Sequence, residues 1–187
     1  MGPAATGVRA DLAVRGGVVV PPVLGSRSTD VLAGLGPDAV TETSVLPVGD
    51  PGEEGCGDVV VDCAPPGGLD RGGPVVLRVV PGPRGDRFAP DAVDALARPT
   101  WTTGADADRV GVRLQGEPLV RAREGELPSE GVVRGSLQVP PSGLPTLLLA
   151  DHPVTGGYPV IGVVVAQDVD RAAQLRPGDA VLLVVRR

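Results

Sequence analysis

No lysine occurs in this 187-residue chain, so all 17 basic residues are arginine. That absence has chemical force. A chain without lysine cannot carry biotin on its own side chain, form a lysine Schiff base or supply the lysine of a phosphate-binding loop. Biotin could act here only if carried by another protein. Aromatics are almost as scarce, with one Trp, one Tyr and one Phe making 2% of the chain. The core must therefore come from Val, Leu and Ala, and Val-rich sequence favours strands over helices. His152 is the single histidine, and Cys56 and Cys63 are the two cysteines. One His and two Cys make no metal site of recognised spacing. The thiols read as free groups in a surface loop rather than a disulfide. No apolar run approaches the roughly 20 residues of a membrane-spanning helix. Met1-Gly2-Pro3-Ala4-Ala5 shows neither the basic nor the apolar region of a secretion signal. A cytoplasmic protein that spans no membrane is expected.

What is present points to strands. Hydrophobic residues make 42% of the chain, enough for a real core. Gly 28 and Pro 21 together form about a quarter of it, which predicts many turns and local disorder. The net charge of −6 argues against nucleic acid or an anionic membrane as partner.

The chain divides into three pieces. Residues 1–48 hold a strand-like run from Val8 to Val14, a Gly16-Gly17 turn, and Val18 to Val20 before Pro21-Pro22. Leu32, Leu35 and Val45 to Val48 are expected as further apolar anchors. This piece is too small to fold alone. Residues 49–74 are rich in Gly, Pro, Asp and Glu, with apolar content only at Val59 to Val61, and read as a flexible linker. Residues 75–187 form the main domain. Strands are predicted at Val75–Val80, Val110–Leu114, Gly131–Val139, Pro145–Ala150, Val160–Ala166 and Ala180–Val185, with another beginning at Trp101–Thr103. The runs at 145–150 and 160–166 suit strands buried on both faces. Short helices are predicted at Ala89–Ala97, with Pro90 in the first turn, and at Asp168–Leu175, with Asp168 as N-cap. Short strands joined by Gly/Pro turns read as a mainly β barrel or sandwich.

Five separated strings go beyond a generic barrel. They are Arg78-Val79-Val80-Pro81-Gly82-Pro83-Arg84-Gly85-Asp86 with Phe88; Asp108 to Leu114; Ser129 to Val133 followed by Gln138 to Gly143; Asp151 to Pro159; and Leu175 to Asp179. Upstream, Leu12 to Gly17 and Val23 to Asp30 join the same series. In order and spacing they resemble the biotin-dependent carboxyltransferase-like family, which includes the C component of 5-oxoprolinase, the second subunit of allophanate hydrolase and KipA-like proteins. The resemblance implies a cyclophilin-like β-barrel with one or two short helices, preceded by a second, similar barrel. Residues 1–10 lack the family's Gly-rich opening, so a remnant of that first barrel and an N-terminal truncation are expected.

The resemblance further implies a subunit of an ATP-dependent hydrolase that opens the cyclic amide of 5-oxoproline to glutamate. The implied partners are a KipI-like protein of the 5-oxoprolinase B type and a lactam-utilisation protein of the A type. ATP would be shared with or bound by them, since the chain has no phosphate-binding loop. Two alternatives stand: a carboxyltransferase module of the urea carboxylase or allophanate type, and a non-enzymatic antagonist of a kinase inhibitor.

Candidate site residues follow from chemistry and position. Glu130, beside Ser129, could accept amide N–H groups, or could close a turn. Asp151 ends an apolar run, where a carboxylate must be exposed or paired. These two are the catalytic candidates. Gln138 and Ser142 flank the rigid Pro140-Pro141 and could hydrogen-bond a planar substrate. Ser142 has no histidine and carboxylate partners at a spacing that suits an acyl nucleophile. Thr155, Gly156, Gly157 and Tyr158 form either a tight turn or a close backbone approach to a ligand. Arg109, Arg113 and Arg134 are the carboxylate or phosphate candidates, or plain surface arginines. His152 reads as an exposed loop residue and Trp101 as core or lid. One cleft is expected to gather Glu130, Gln138, Asp151 and the Gly156-Gly157 bend.

Overall fold

The computed structural model describes residues 7–9, 11–31, 33–50, 73–98, 100–123, 125 and 127–186. They belong to two compact units, one of residues 11–64 and one of residues 1–10 with 65–187.

The larger unit is built on valine alternation. In β1 (Val75–Pro81), Val75, Leu77 and Val79 are buried while Val76 and Val80 face out. This period of two makes one face of the strand a core face. The chain continues through a 3-10 turn (Gly85–Arg87), α1 (Ala92–Ala97), β2 (Thr100–Ala107), β3 (Gly111–Gln115), β4 (Glu130–Gly131), β5 (Ser136–Gln138), β6 (Thr146–Leu148), β7 (Thr155–Gly156), β8 (Val160–Val164), α2 (Ala166–Ala172) and β9 (Ala180–Val185). Seven strands close a barrel in the order β1-β8-β5-β6-β3-β2-β9. Its ladders are antiparallel except for the parallel pair β1·β9, where Val75 lies opposite Val181 and Val79 opposite Val185. Closure leaves the barrel no free edge. The interior holds Leu77, Val79, Trp101, Leu114, Leu137, Leu147, Ile161 and Leu183. Trp101 is fully buried there, and its indole N–H donates to Leu96 O at 2.9 Å. That bond ties α1 to the core and gives Trp101 a structural role.

The two apolar runs are buried on both faces because a second layer covers the barrel. Leu147 and Ile161 point inward, whereas Leu148 and Val160 pack outside against Val132. Val132 follows β4, which pairs with β7 in a separate two-stranded ribbon.

Several local expectations change. The strand predicted over Gly131–Val139 is two strands, β4 and β5, because Gly135 takes a φ of 92° and turns the chain between them. The helix predicted at Ala89–Ala97 forms only from Ala92. The second helix begins at Ala166, with Val165 as N-cap. Asp168 is therefore not a cap but lies inside the first turn, 3% exposed. Its carboxylate accepts from Arg78 N at 2.8 Å, Arg78 Nε at 2.7 Å and Arg78 Nη2 at 2.8 Å. Tertiary pairing with β1 takes a carboxylate that local sequence alone assigns to capping. The hydrogen bonds from Arg78, opposed by burial, hold this carboxyl below the usual carboxylate range.

In residues 11–31 and 33–50 the chain forms turns and isolated bridges, Val18↔Val48, Val23↔Ser26 and Asp30↔Leu35, with no strand among the described residues. The strand expected from Val8 to Val14 does not form. Val8 and Arg9 instead donate their N–H groups to Gln174 Oε1, each at 3.0 Å. The expected anchors Leu35, Val45, Leu46 and Val48 are exposed. Gly16-Gly17 and Pro21-Pro22 interrupt the apolar runs, so pairing stops at single bridges. Leu32, Cys56, Cys63 and most of the linker predicted at 49–74 lie outside the described residues.

Candidate functional site

The ribbon and the first loop of the barrel build one polar corner. Register pairs Glu130 with Gly156 and Gly131 with Thr155. The ribbon is held on both sides, by Leu127 N donating to Gly157 O at 2.9 Å and Val132 N donating to Val154 O at 3.0 Å. Opposite it, the loop after β1 is pinned to β8 by Gly82 N donating to Ile161 O at 2.8 Å. A Cβ at Gly82 would overlap the backbone of Val160 to Gly162, so only glycine allows this approach. Two residues on, Arg84 is delivered to Glu130.

Arg84 Nε donates to Glu130 Oε2 at 2.9 Å and Oε1 at 3.2 Å, and Arg84 Nη2 also donates to Oε2. These bonds, opposed by partial burial and aided by the charges of Arg84 and Arg87, hold the Glu130 carboxyl below its usual range. The same bonds raise the Arg84 guanidinium. A carboxylate kept ionised in this way is a good acceptor of N–H groups and a weak proton acceptor. Gln138, 8% exposed, donates from Nε2 to Tyr158 O at 3.4 Å. A Cβ at Gly156 would overlap Gln138 Nε2, so this glycine lets the amide approach the ribbon. Arg84, Glu130, Gly156, Gln138 and the Tyr158 carbonyl thus form one continuous constellation.

The other candidates go elsewhere. Asp151 pairs with Arg109 at 2.9 Å, their side chains 46% and 68% exposed, and Asp151 N donates to Arg109 O at 3.0 Å. No hydrogen bond joins this pair to Glu130 or Gln138 among the described residues. Asp151 leaves β6 beside the start of β3, its barrel neighbour, whereas Glu130 is drawn to β7. Of the four places expected in one cleft, Glu130, Gln138 and Gly156 are joined by register and contact, and Asp151 is bonded to Arg109. Arg113 pairs with Asp106 at 3.4 Å, and Arg134 with Asp170 at 2.8 Å. Arg109, Arg113 and Arg134 each pair with a different aspartate. Ser142 Oγ accepts from Leu144 N at 3.4 Å within a turn. Thr155 is exposed in β7, and Tyr158 is exposed while its carbonyl serves Gln138. His152 Nδ1 lies 2.7 Å from Pro153 O in its own loop. Among the described residues, no three His, Cys, Asp or Glu side chains converge as a metal site would need.

Sequence reasoning missed two residues of the corner. Arg84 and Arg87 lie in or beside the Pro81-to-Asp86 string, and two arginines bracketing Gly85-Asp86 were the available signal. What sequence could not supply was the pairing that brings that loop to Glu130.

A family model described as carboxyltransferase domain, subdomain A and B, matches residues 1–185. Over 181 residues the chain is 35% identical to the C subunit of 5-oxoprolinase from Escherichia coli, covering 95% of this chain and 56% of that protein. It is 34% identical to the Haemophilus influenzae C subunit of the same enzyme over 184 residues, 97% of this chain and 57% of that protein. The chain spans a little over half the length of these curated relatives. The crystal structure of Kluyveromyces lactis urea carboxylase superposes with a TM-score of 0.82 at 25% identity, over 98% of this chain and 18% of that one.

Proposed function

Since the chain belongs to the carboxyltransferase domain family, subdomain A and B, we propose that it serves as the C-type component of a 5-oxoprolinase, an ATP-dependent cytoplasmic hydrolase that opens the cyclic amide of 5-oxoproline to glutamate. The observation that carries this reading is the convergence of Glu130 and Gln138 on Gly156. Two residues meeting at Gly156 bring an ionised carboxylate and a carboxamide to one corner, an acceptor for an amide N–H and hydrogen-bonding groups for its carbonyl. Similarity to two 5-oxoprolinase C subunits supports the choice of reaction. In this reading Glu130 orients the amide, Gln138 fixes its plane, and Arg84 keeps Glu130 charged and in place. ATP falls to the A-type and B-type partners.

The test is reconstitution with those two partner types, followed by glutamate release from 5-oxoproline and ATP. Glutamate above the level of the partners alone is expected. Glu130→Gln should lower kcat/KM by roughly a hundredfold through lost orientation of the amide, and Asp151→Asn by much less. Absence of glutamate above the partner-only control rejects the proposal. Similarity to urea carboxylase favours a second reading, in which the same corner binds urea and accepts a carboxyl group from biotin carried elsewhere. Urea carboxylation in place of glutamate release would select it.

A further inference from the structure

The loop that delivers Arg84 carries a second guanidinium that Glu130 does not satisfy. Arg87 closes the 3-10 turn Gly85–Arg87, and its charge reaches Glu130. Its Nε is closed off from solvent and has no hydrogen-bond partner. The nearest carboxylate oxygen described for it, Asp86 Oδ2, is 3.8 Å away, too far for a hydrogen bond, and also lies 3.5 Å from Arg123 Nη1. An orphaned guanidinium nitrogen costs stability until an acceptor arrives. Arg84 cannot share the load, because Glu130 already occupies both its Nε and its Nη2. Beside one carboxylate, then, stand one engaged arginine and one waiting arginine. The side chain of Arg87 is 23% exposed, so its outer nitrogens remain open to a ligand.

We propose that Arg87 is a specificity residue that holds a substrate carboxylate, so that the corner takes a cyclic amide bearing a carboxylate on the carbon next to its ring nitrogen, and not a neutral urea. The inference rests on the reading of Glu130 and Gln138 as the amide-binding pair. With the ring N–H on Glu130, a carboxylate one carbon away stays close to the loop that carries both Arg84 and Arg87. The planar guanidinium suits that group in charge and shape. Urea offers N–H donors to Glu130 but no carboxylate to the outer nitrogens of Arg87.

The experiment compares three probes binding to the full chain, measured by ligand-observed NMR: 5-oxoproline, 2-pyrrolidinone, which is the same ring without the carboxylate, and urea. The wild type should bind 5-oxoproline about tenfold more tightly than 2-pyrrolidinone. Arg87→Gln should abolish that preference while leaving 2-pyrrolidinone within about twofold, and Arg87→Lys should restore part of it. A folding defect would weaken all probes together and show in the circular dichroism melt, so the ratio of the two lactams isolates the role of Arg87. An unchanged ratio in Arg87→Gln, or tighter binding of urea than of 5-oxoproline by the wild type, overturns the proposal. Glutamate release by the reconstituted complex with an unchanged lactam ratio would sink this inference and leave the proposed reaction standing. An Arg87-dependent ratio without glutamate release would do the reverse.

Discussion

Val75–Val80 and Val18–Val20 are both valine runs in Gly/Pro-rich surroundings, and they meet opposite fates. The first is β1, bonded on one side to β8 and on the other to β9, with Leu77 and Val79 fully buried. The second makes one isolated bridge, Val18↔Val48, and leaves Val19 exposed. Composition cannot separate them. Two things do. Pro21-Pro22 ends the second run after three residues, where no ladder can grow. And the first run meets strands from more than 80 residues away that share its period, while the described residues of 11–50 contain no such partner within their own unit. A valine run becomes a strand only when a complementary one reaches it.

The sharpest way to break this contrast is to open the barrel core. Leu77→Ala should cost about 2–5 kcal/mol, the range for a buried leucine leaving a cavity. Urea unfolding followed by the fluorescence of Trp101, the single tryptophan, would read it, since that ring lies in the same core. A cost below about 1 kcal/mol would mean that the interior is not close-packed.

Next in size is Gly82→Ala, which pushes a methyl group into the backbone of β8. A loss of about 1–3 kcal/mol is expected. A drop in kcat/KM of the reconstituted complex should accompany it, because the loop that presents Arg84 must move. Full activity in this variant would separate Arg84 from the site.

A third test uses acid. The Asp168 carboxyl is held low by Arg78, so its contribution is complete above the unfolded carboxylate range near about 4 and disappears as pH falls through the lower folded value. Asp168→Asn should lower the melting temperature at pH 7 by about 5 °C and flatten the decline below about pH 4. A wild-type decline that the substitution leaves unaltered would remove the α2–β1 ion pair as its cause.

The smallest effect is expected in residues 11–50. Val45→Ser, at a residue 92% exposed, should change barrel stability by less than about 0.5 kcal/mol. A loss comparable to that of Leu77→Ala would erase the contrast between the two regions.

The strands were largely readable. Val75, Val160 and Ala180 start strands where the apolar runs begin, and β9 spans the predicted residues. The breaks were less so. Gly135 splits one predicted strand because its positive φ is a turn signal hidden inside an apolar run. The site was half visible. Glu130, Gln138 and Gly156 stood out by residue type and context, and the ribbon joins them. Asp151 stood out equally, but its bonding partner is Arg109 at the edge of β3. Arg84 and Arg87 were readable only as part of a string, because their meaning depends on Glu130, more than 40 residues downstream.

Sequence by itself determined the material: an arginine-only, aromatic-poor chain whose alternating Val and Leu demand a mainly β core, and whose missing lysine rules out a biotin of its own. Those are properties of side chains and of short-range period, and both can be read along one dimension. Tertiary structure alone decided which carboxylate meets which arginine. Asp168 went to Arg78, Asp151 to Arg109 and Glu130 to Arg84. Ion pairing acts over a few ångströms in space, and the barrel's closure, not the spacing of residues along the chain, sets those distances.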